Sequence, residues 1–369
     1  MPRFDKRNAA RGTLSNLSCV ISRFALIVAA GSLAACAGGS GTPGSAPPRP
    51  NPVTSGTAYV GSSSQAGSLI QAYTLPLSVA STPLFSVMTS TSTFCIDSFG
   101  HLFVLDSKGG LDVYALPLSA NATPAFKLAT SHPTAGTCAA DASGNLYVPE
   151  DVYNNDPFNP QVQGYIDAFP GPVHNGSTPV KTITLPPQSN GLLTGVFNTT
   201  ADATGDVFVD TGVATTGFSR KRRTVARGQL ILGLAIEEFS SLGTGNALLA
   251  TFGAGRDPKI GPDGNLYTLD VIQNSPGNDT QVVDVYLPSD FHNGGTRDHA
   301  IALGSGNSLT TQDIAFDSAA NLYVAADSPP CCPQNAVVLM LPLPYAAISV
   351  TVKLAVPTDS GVGSIAISR

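Results

Sequence analysis

The chain has 369 residues, room for one large β domain or two ordinary ones, and only 12% of them are charged, about half the usual share. Gly and Pro occupy 37 and 29 positions, a composition rich in turns that excludes an architecture of long helices. Residues 1–35 hold five of the 19 basic groups (Arg3, Lys6, Arg7, Arg11, Arg23) and one of the 25 acidic ones; the remaining 14 and 24 leave residues 36–369 a formal charge of -10, which argues against general nucleic-acid binding.

In chain order, the basic start is followed by an apolar run from Phe24 to Val28 that continues through small residues to Leu33-Ala34-Ala35-Cys36. This order is that of a secretory signal over 1–35, and the run of about 12 residues is too short to span a hydrocarbon core of roughly 30 Å. Its end resembles the lipobox of bacterial lipoproteins, which implies acylation of Cys36 and cleavage just before it. Ala37, rather than Asp, follows the cysteine; by the same resemblance this implies an outer-membrane lipid anchor. Residues 36–56 have almost no large apolar side chain and read as a flexible Gly/Pro/Ser tether.

From residue 57 one pattern returns: TAYVGS around Ala58, GHLFVLD around Leu102, GNLYVPE around Leu146, GDVFVDT around Val207, GNLYTLD around Leu266 and ANLYVAAD around Leu322. Apolar runs of four to seven residues alternate with turn residues in each copy, so each copy reads as four strands. In the sixth copy these are 313–317, 321–325, 336–341 and 349–354. An Asp-x-x-Gly turn recurs at Asp97 to Gly100, Asp141 to Gly144 and Asp202 to Gly205. Six copies of four strands predict an all-β, six-bladed β-propeller over 57–369. The first copy begins at a second strand, and Gly363 to Ser368 matches a first strand with nothing after it. The C-terminal strand is therefore expected to complete the N-terminal blade.

The GNLYV units and the Asp-x-x-Gly turn resemble NHL-repeat six-bladed propellers, with a more distant likeness to gluconolactonase-like propellers. The second likeness implies a divalent metal held by acidic and Asn side chains in the channel. The first-strand positions compared for it carry Cys95, Cys138, Thr199 and Ile314, which do not supply that set.

Several candidate sites remain. Asp106, Glu150 and Asp270 share one repeat position near the end of the second strand, with Asp210 and Asp327 one residue away. A ring of them suits Ca²⁺, the only cofactor in view; alternatively each bonds backbone groups of the adjacent blade. Cys95 and Cys138 fall on first strands of neighbouring blades but one repeat position out of register, so both a bridge and two thiols stay open. Adjacent Cys331 and Cys332 are candidates for a vicinal disulfide. Arg220 to Arg223 with Arg227 form the one dense basic run. Long connections between second and third strands in the third to sixth copies carry Tyr153, Asn154, Asn155, Phe158, Phe218 and Asn278, a mix suited to sugar or peptide contacts.

The motifs of serine hydrolases, zinc proteases and nucleotide-binding loops are missing. The leading expectation is thus a non-catalytic binding or scaffold propeller, tethered to the membrane and recognising an envelope protein or polysaccharide. A metal-dependent lactonase or related hydrolase is the alternative.

Overall fold

Apolar runs bounded by Gly, Asn and Asp become strands, and their order in the sheets is a ring. The computed structural model describes residues 56–369 except 65, 107–108, 154–160, 188–192, 217–228, 241–247, 252–254, 274–278, 292–294, 306–309, 329–334, 346–347, 349, 354–360 and 369. The chain divides into Met1–Asn51 and Pro52–Arg369. The signal, Cys36 and nearly all of the tether lie outside the described residues.

The strands are β1 (Thr57–Ser64), β2 (Gly67–Thr74), β3 (Phe85–Thr89), β4 (Phe94–Ile96), β5 (His101–Leu105), β6 (Leu111–Ala115), β7 (Phe126–Leu128), β8 (Ala139–Ala140), β9 (Leu146–Tyr153), β10 (Val162–Phe169), β11 (Lys181–Thr184) and β12 (Gly195–Ala201). They continue as β13 (Val207–Thr216), β14 (Gln229–Phe239), β15 (Leu248–Thr251), β16 (Arg256–Ile260), β17 (Leu266–Gln273), β18 (Asp279–Tyr286), β19 (His299–Ser305), β20 (Thr310–Phe316), β21 (Leu322–Ser328), β22 (Asn335–Leu341), β23 (Val350–Lys353) and β24 (Gly361–Ser368). One short helix, α1 (Pro288–Phe291), interrupts them.

They form six four-stranded antiparallel sheets. Blade I has the order β24-β1-β2-β3, and blades II to VI follow as β4 to β7, β8 to β11, β12 to β15, β16 to β19 and β20 to β23. The C-terminal strand does close the first blade: Ala58 pairs with Ile367 and Val60 with Ile365. Inner strands β24, β4, β8, β12, β16 and β20 touch one another in that succession and return to the start. The molecule is a six-bladed propeller.

The continuous apolar runs of the second strands follow from burial on both faces. Leu102 and Val104 face blade I, while Phe103 and Leu105 face blade III. Each of the six interfaces between neighbouring blades has its own apolar cluster.

The recurrent turn is a polar knot. Asp141 Oδ1 accepts N–H bonds from Ser143 and Asn145, and its Oδ2 accepts bonds from the Asn145 amide and the buried Tyr147 hydroxyl. Asp317 repeats the arrangement with Ala319, Asn321 and Tyr323. In blade V, Gly261 takes the position of that Asp, and Asp263 instead receives Asn265 and Tyr267. The turn's last residue adopts positive φ, as Gly at 100, 144, 205 and 264 but as Ala320 (φ 59°) in blade VI.

Cys95 and Cys138 are joined in a disulfide with their Cα atoms 5.5 Å apart. Cys95 pairs with Phe103, whereas Cys138 occupies the repeat position of Phe94. That one-residue offset turns the two sulfurs to opposite faces of their own sheets. In a ring of stacked sheets, opposite faces of neighbours are the ones that meet.

Two outcomes test this architecture. Ala320→Gly, which relieves a left-handed alanine, should raise unfolding free energy by about 0.5–1 kcal/mol in urea titrations. Cys95→Ser, which opens a loop closed over 43 residues, should cost about 4 kcal/mol by the chain-entropy relation.

Candidate functional site

The polar chemistry of the ring sits in layers, each set by repeat position. Eight residues before each key position lie Phe94, Cys138, Thr199, Pro258 and Ile314, with Ile365 equivalent on β24. One residue earlier lie Thr93, Thr137, Asn198, Asp257, Asp313 and Ser364, all polar. Around the axis they link neighbouring inner strands. The Ser364 hydroxyl accepts the Phe94 N–H (3.4 Å), the Asn198 side-chain Oδ1 accepts the Thr137 N–H (2.8 Å), and Asp313 Oδ2 accepts the Ile365 N–H (2.8 Å). Asp210 accepts the Asn198 N–H and, across the interface, the Asp257 N–H at 2.8 Å. Lys259 reaches from blade V to Asp313 of blade VI. At the remaining interface, between blades II and III, stands the disulfide.

Asp257 and Lys259 are the unusual members. Asp257 is 1% exposed, has φ 54°, and neither carboxylate oxygen has a hydrogen-bond partner among the described residues. The Lys259 ammonium lies 3.6 Å from Asp257 Oδ1 and 3.3 Å from Asp313 Oδ1. Burial and the neighbouring Asp313 push the Asp257 carboxyl well above its usual range. Burial works against the Lys259 charge, but Asp313 and Asp257 outweigh it and hold the ammonium protonated.

The three in-register carboxylates are not brought together. Each joins a second acid on the third strand of its own blade. Asp106 meets Asp112 through Lys127, whose Nζ is 3.3 and 2.8 Å away. Asp270 lies beside Asp284, which accepts a 2.8 Å bond from Arg297. In blade III, Glu150 and Asp167 stand at the equivalent places, and among the described residues no ion pair to Lys or Arg joins them; Thr182 occupies the position of Lys127. His132, stacked 4.1 Å from Tyr165, gives Glu150 its backbone N–H and Nδ1 contact, each at 3.0 Å. Burial, then the charge of Asp167, pushes Glu150 up to about 9.

The carboxylates on the opposite face of the second strand behave otherwise. Asp151 accepts the Val196 N–H (3.0 Å) and Asp327 the Val362 N–H (2.9 Å), each from the next blade's inner strand. With Asp210 they are interblade ties. Among the described residues no three His, Cys, Asp or Glu side chains are grouped to hold a metal ion.

On the long-loop end, Tyr153 is 42% exposed at the tip of β9. Asn154, Asn155, Phe158, Phe218 and Asn278, the basic run, and Cys331 and Cys332 lie outside the described residues. The axial layer Asn198, Asp257, Asp313 and Lys259 was missed by sequence comparison of first strands, which aligned the residues just after it. The signal was present as polar residues in all six copies, obscured by bulges between Val196 and Thr199, Arg256 and Lys259, and Thr311 and Asp313.

At the other end of the channel the inner strands enclose a cavity of about 300 Å³. Its lining includes the apolar Ile96, Ala140, Ile260, Phe316 and Ile367 and the polar Thr137, Thr199, Thr200 and Lys259.

No protein-family profile and no curated protein matches the chain. Among solved structures it is similar to hydrazine synthase of Kuenenia stuttgartiensis, at 12% identity and TM-score 0.40, over 68% of this chain and 65% of that one. It thus spans just under two thirds of that protein's length. It is also similar to a quinonprotein alcohol dehydrogenase-like protein of Bacteroides thetaiotaomicron, at 12% identity and TM-score 0.39, over 84% of this chain and 68% of that one.

The blade III pair has a pH consequence. Between its ordinary value of 4.5 and about 9, Glu150 keeps a proton in the folded protein that the unfolded chain has lost, so this group's contribution to stability falls as pH rises through that window. Glu150→Gln removes the linkage. Urea titrations from pH 5 to 9 should show the variant gaining on the wild type with rising pH, by as much as about 1.4 kcal/mol per pH unit; parallel curves would refute the assignment.

Proposed function

We propose that this chain is an exported lipoprotein, anchored through Cys36 in the outer membrane, whose propeller is a non-catalytic binding module for an envelope protein or polysaccharide. The observation that carries the binding reading is the asymmetry of one end of the ring. The hairpin of second and third strands runs only from Ala58 to its partner Tyr73 in blade I and from Leu102 to Tyr114 in blade II, but from Leu146 to Phe169, Val207 to Phe239, Leu266 to Tyr286 and Leu322 to Leu341 in blades III to VI. In the four successive blades III to VI the last pairs are Tyr153 with Val162, Thr216 with Gln229, Gln273 with Asp279 and Ser328 with Asn335. Blade IV adds a hairpin of 10- and 11-residue strands. Long connections on a rigid frame are where recognition is commonly placed, and Asp151, Asp210 and Asp327 fasten the bases of three of them.

The axial Asn198, Asp257 and Asp313 favour, as a second reading, a metal-dependent lactonase or hydrolase of the gluconolactonase-like type. Against it, Lys259 already supplies a cation to two of these groups. Metal content of the purified protein separates the two readings.

For the anchor, labelled palmitate should enter the wild-type chain and not Cys36→Ser, which should move from the membrane to the soluble fraction. For the binding face, replacing 154–160, 217–228, 274–278 and 329–334 by two-residue turns should abolish retention of envelope protein or polysaccharide on the immobilised propeller. Undiminished retention by a trimmed variant of unchanged Tm would count against this face.

A further inference from the structure

The described chain enters the ring at Gly56, whose carbonyl accepts the Leu75 N–H, and Thr57 then pairs with Thr74 on one side and Ser368 on the other. From there β1 runs towards its hairpin with β2, where Ser64 pairs with Gly67. The entry point therefore lies at the end of the ring that carries the Asp-x-x-Gly turns, opposite the long hairpins. Cys36 lies twenty residues before Gly56, a length of chain that reaches at most about 70 Å.

That end is poor in charge and rich in exposed apolar side chains. The connections from third to fourth strand all lie on it. Those over 75–84, 116–125, 170–180, 240–247 and 342–349 contain no Asp, Glu, Lys or Arg; only 287–298, in blade V, does, with Asp290, Arg297 and Asp298. Val79 and Leu84 of blade I, Phe99 of blade II, Val180 of blade III and Leu343 of blade VI are 51% to 82% exposed. Leu248 and Leu249, at the start of β15, are exposed at the same end. Among the described residues only three other large apolar side chains are comparably exposed, Met88, Val152 and Tyr153, and these lie towards the hairpin end. The turn carboxylates of blades II, III and VI are held within their turns: Asp97, Asp141 and Asp317 each accept two backbone N–H bonds there.

Apolar side chains gathered at one end of a molecule mark a contact surface. Zwitterionic lipid fits this one. Loops without charge lose no ion hydration on entering a headgroup layer, and the formal charge of -10 on residues 36–369 sets the body against an anionic surface. A short tether holds the lipid at high effective concentration, so each side chain need contribute little. We propose that, given the anchor at Cys36 on which this inference rests, the Asp-x-x-Gly end of blades VI, I, II and III lies on the bilayer. Val79, Leu84, Phe99, Val180 and Leu343 then sit among zwitterionic headgroups, and the long hairpins face away from the membrane, open to a partner. The charged connection of blade V marks the side of this end that stays in water.

The chain contains no Trp, so one introduced indole reports its own surroundings. The full lipidated chain is placed on phosphatidylcholine vesicles whose acyl chains are brominated near the headgroup. Fluorescence of Phe99→Trp should fall at least twofold and shift to shorter wavelength. Val79→Trp, a second reporter in blade I, should behave alike. Met88→Trp, at a side chain that lies against Gly67 at the hairpin end, should keep its intensity. Adding Leu84→Glu and Val180→Glu, both at exposed positions, should at least halve the quenching in Phe99→Trp while the chain still floats with the vesicles. Equal quenching at 99 and 88, no quenching at 99 and 79, or quenching unchanged by the two glutamates would overturn the proposal and leave this end to a protein partner. If the wild-type chain takes no palmitate and does not float, the anchor reading falls separately; the same quenching, measured on the unlipidated chain at excess lipid, then decides the face.

Discussion

The inner strand of every blade has one backbone edge with no further strand beside it, and six such edges converge on the axis. Buried N–H and C=O groups left unpaired there would cost free energy comparable to lost hydrogen bonds. The structure meets this constraint across the interfaces. Side chains of one inner strand bond the backbone of the next, as Asn198 does for Thr137, Asp313 for Ile365 and Ser364 for Phe94. Backbone bonds such as Thr199 N–H to Thr137 O and Ser364 N–H to Ser92 O add to them. The polar layer that results ties the blades together.

Repetition makes the departures from the repeat informative. The paired acids of blades II, III and V share one geometry, yet only blades II and V supply Lys127 or Arg297. Blade III answers the same repulsion with a proton on Glu150 and with His132. Similarly, four turns place glycine where φ is positive, and blade VI carries Ala320 there. Such departures are where the ring's common logic yields to a local requirement.

The two ends of the ring differ for a topological reason. Connections from second to third strand emerge at one end and the Asp-x-x-Gly turns at the other, so the longer hairpins of four successive blades build up one rim.

What the sequence by itself determined was local: the count of six copies, the apolar strand runs, the Asp-x-x-Gly turns, and the two orphan strands whose pairing closes the ring. Each follows from neighbours within a few residues or from counting repeats. Tertiary structure decided which faces meet. The offset of Cys95 from Cys138, ambiguous in sequence, becomes a bridge because stacked sheets present opposite faces to each other. Asp106, Glu150 and Asp270 share a repeat position but point into separate interfaces, because a ring carries equal positions apart by rotation. Bulges in three inner strands fall at the layer of Asn198, Asp257 and Asp313 and hid it. A bulge shifts side chains by one face, and no local pattern in the chain records where that face will lie once six sheets close around an axis.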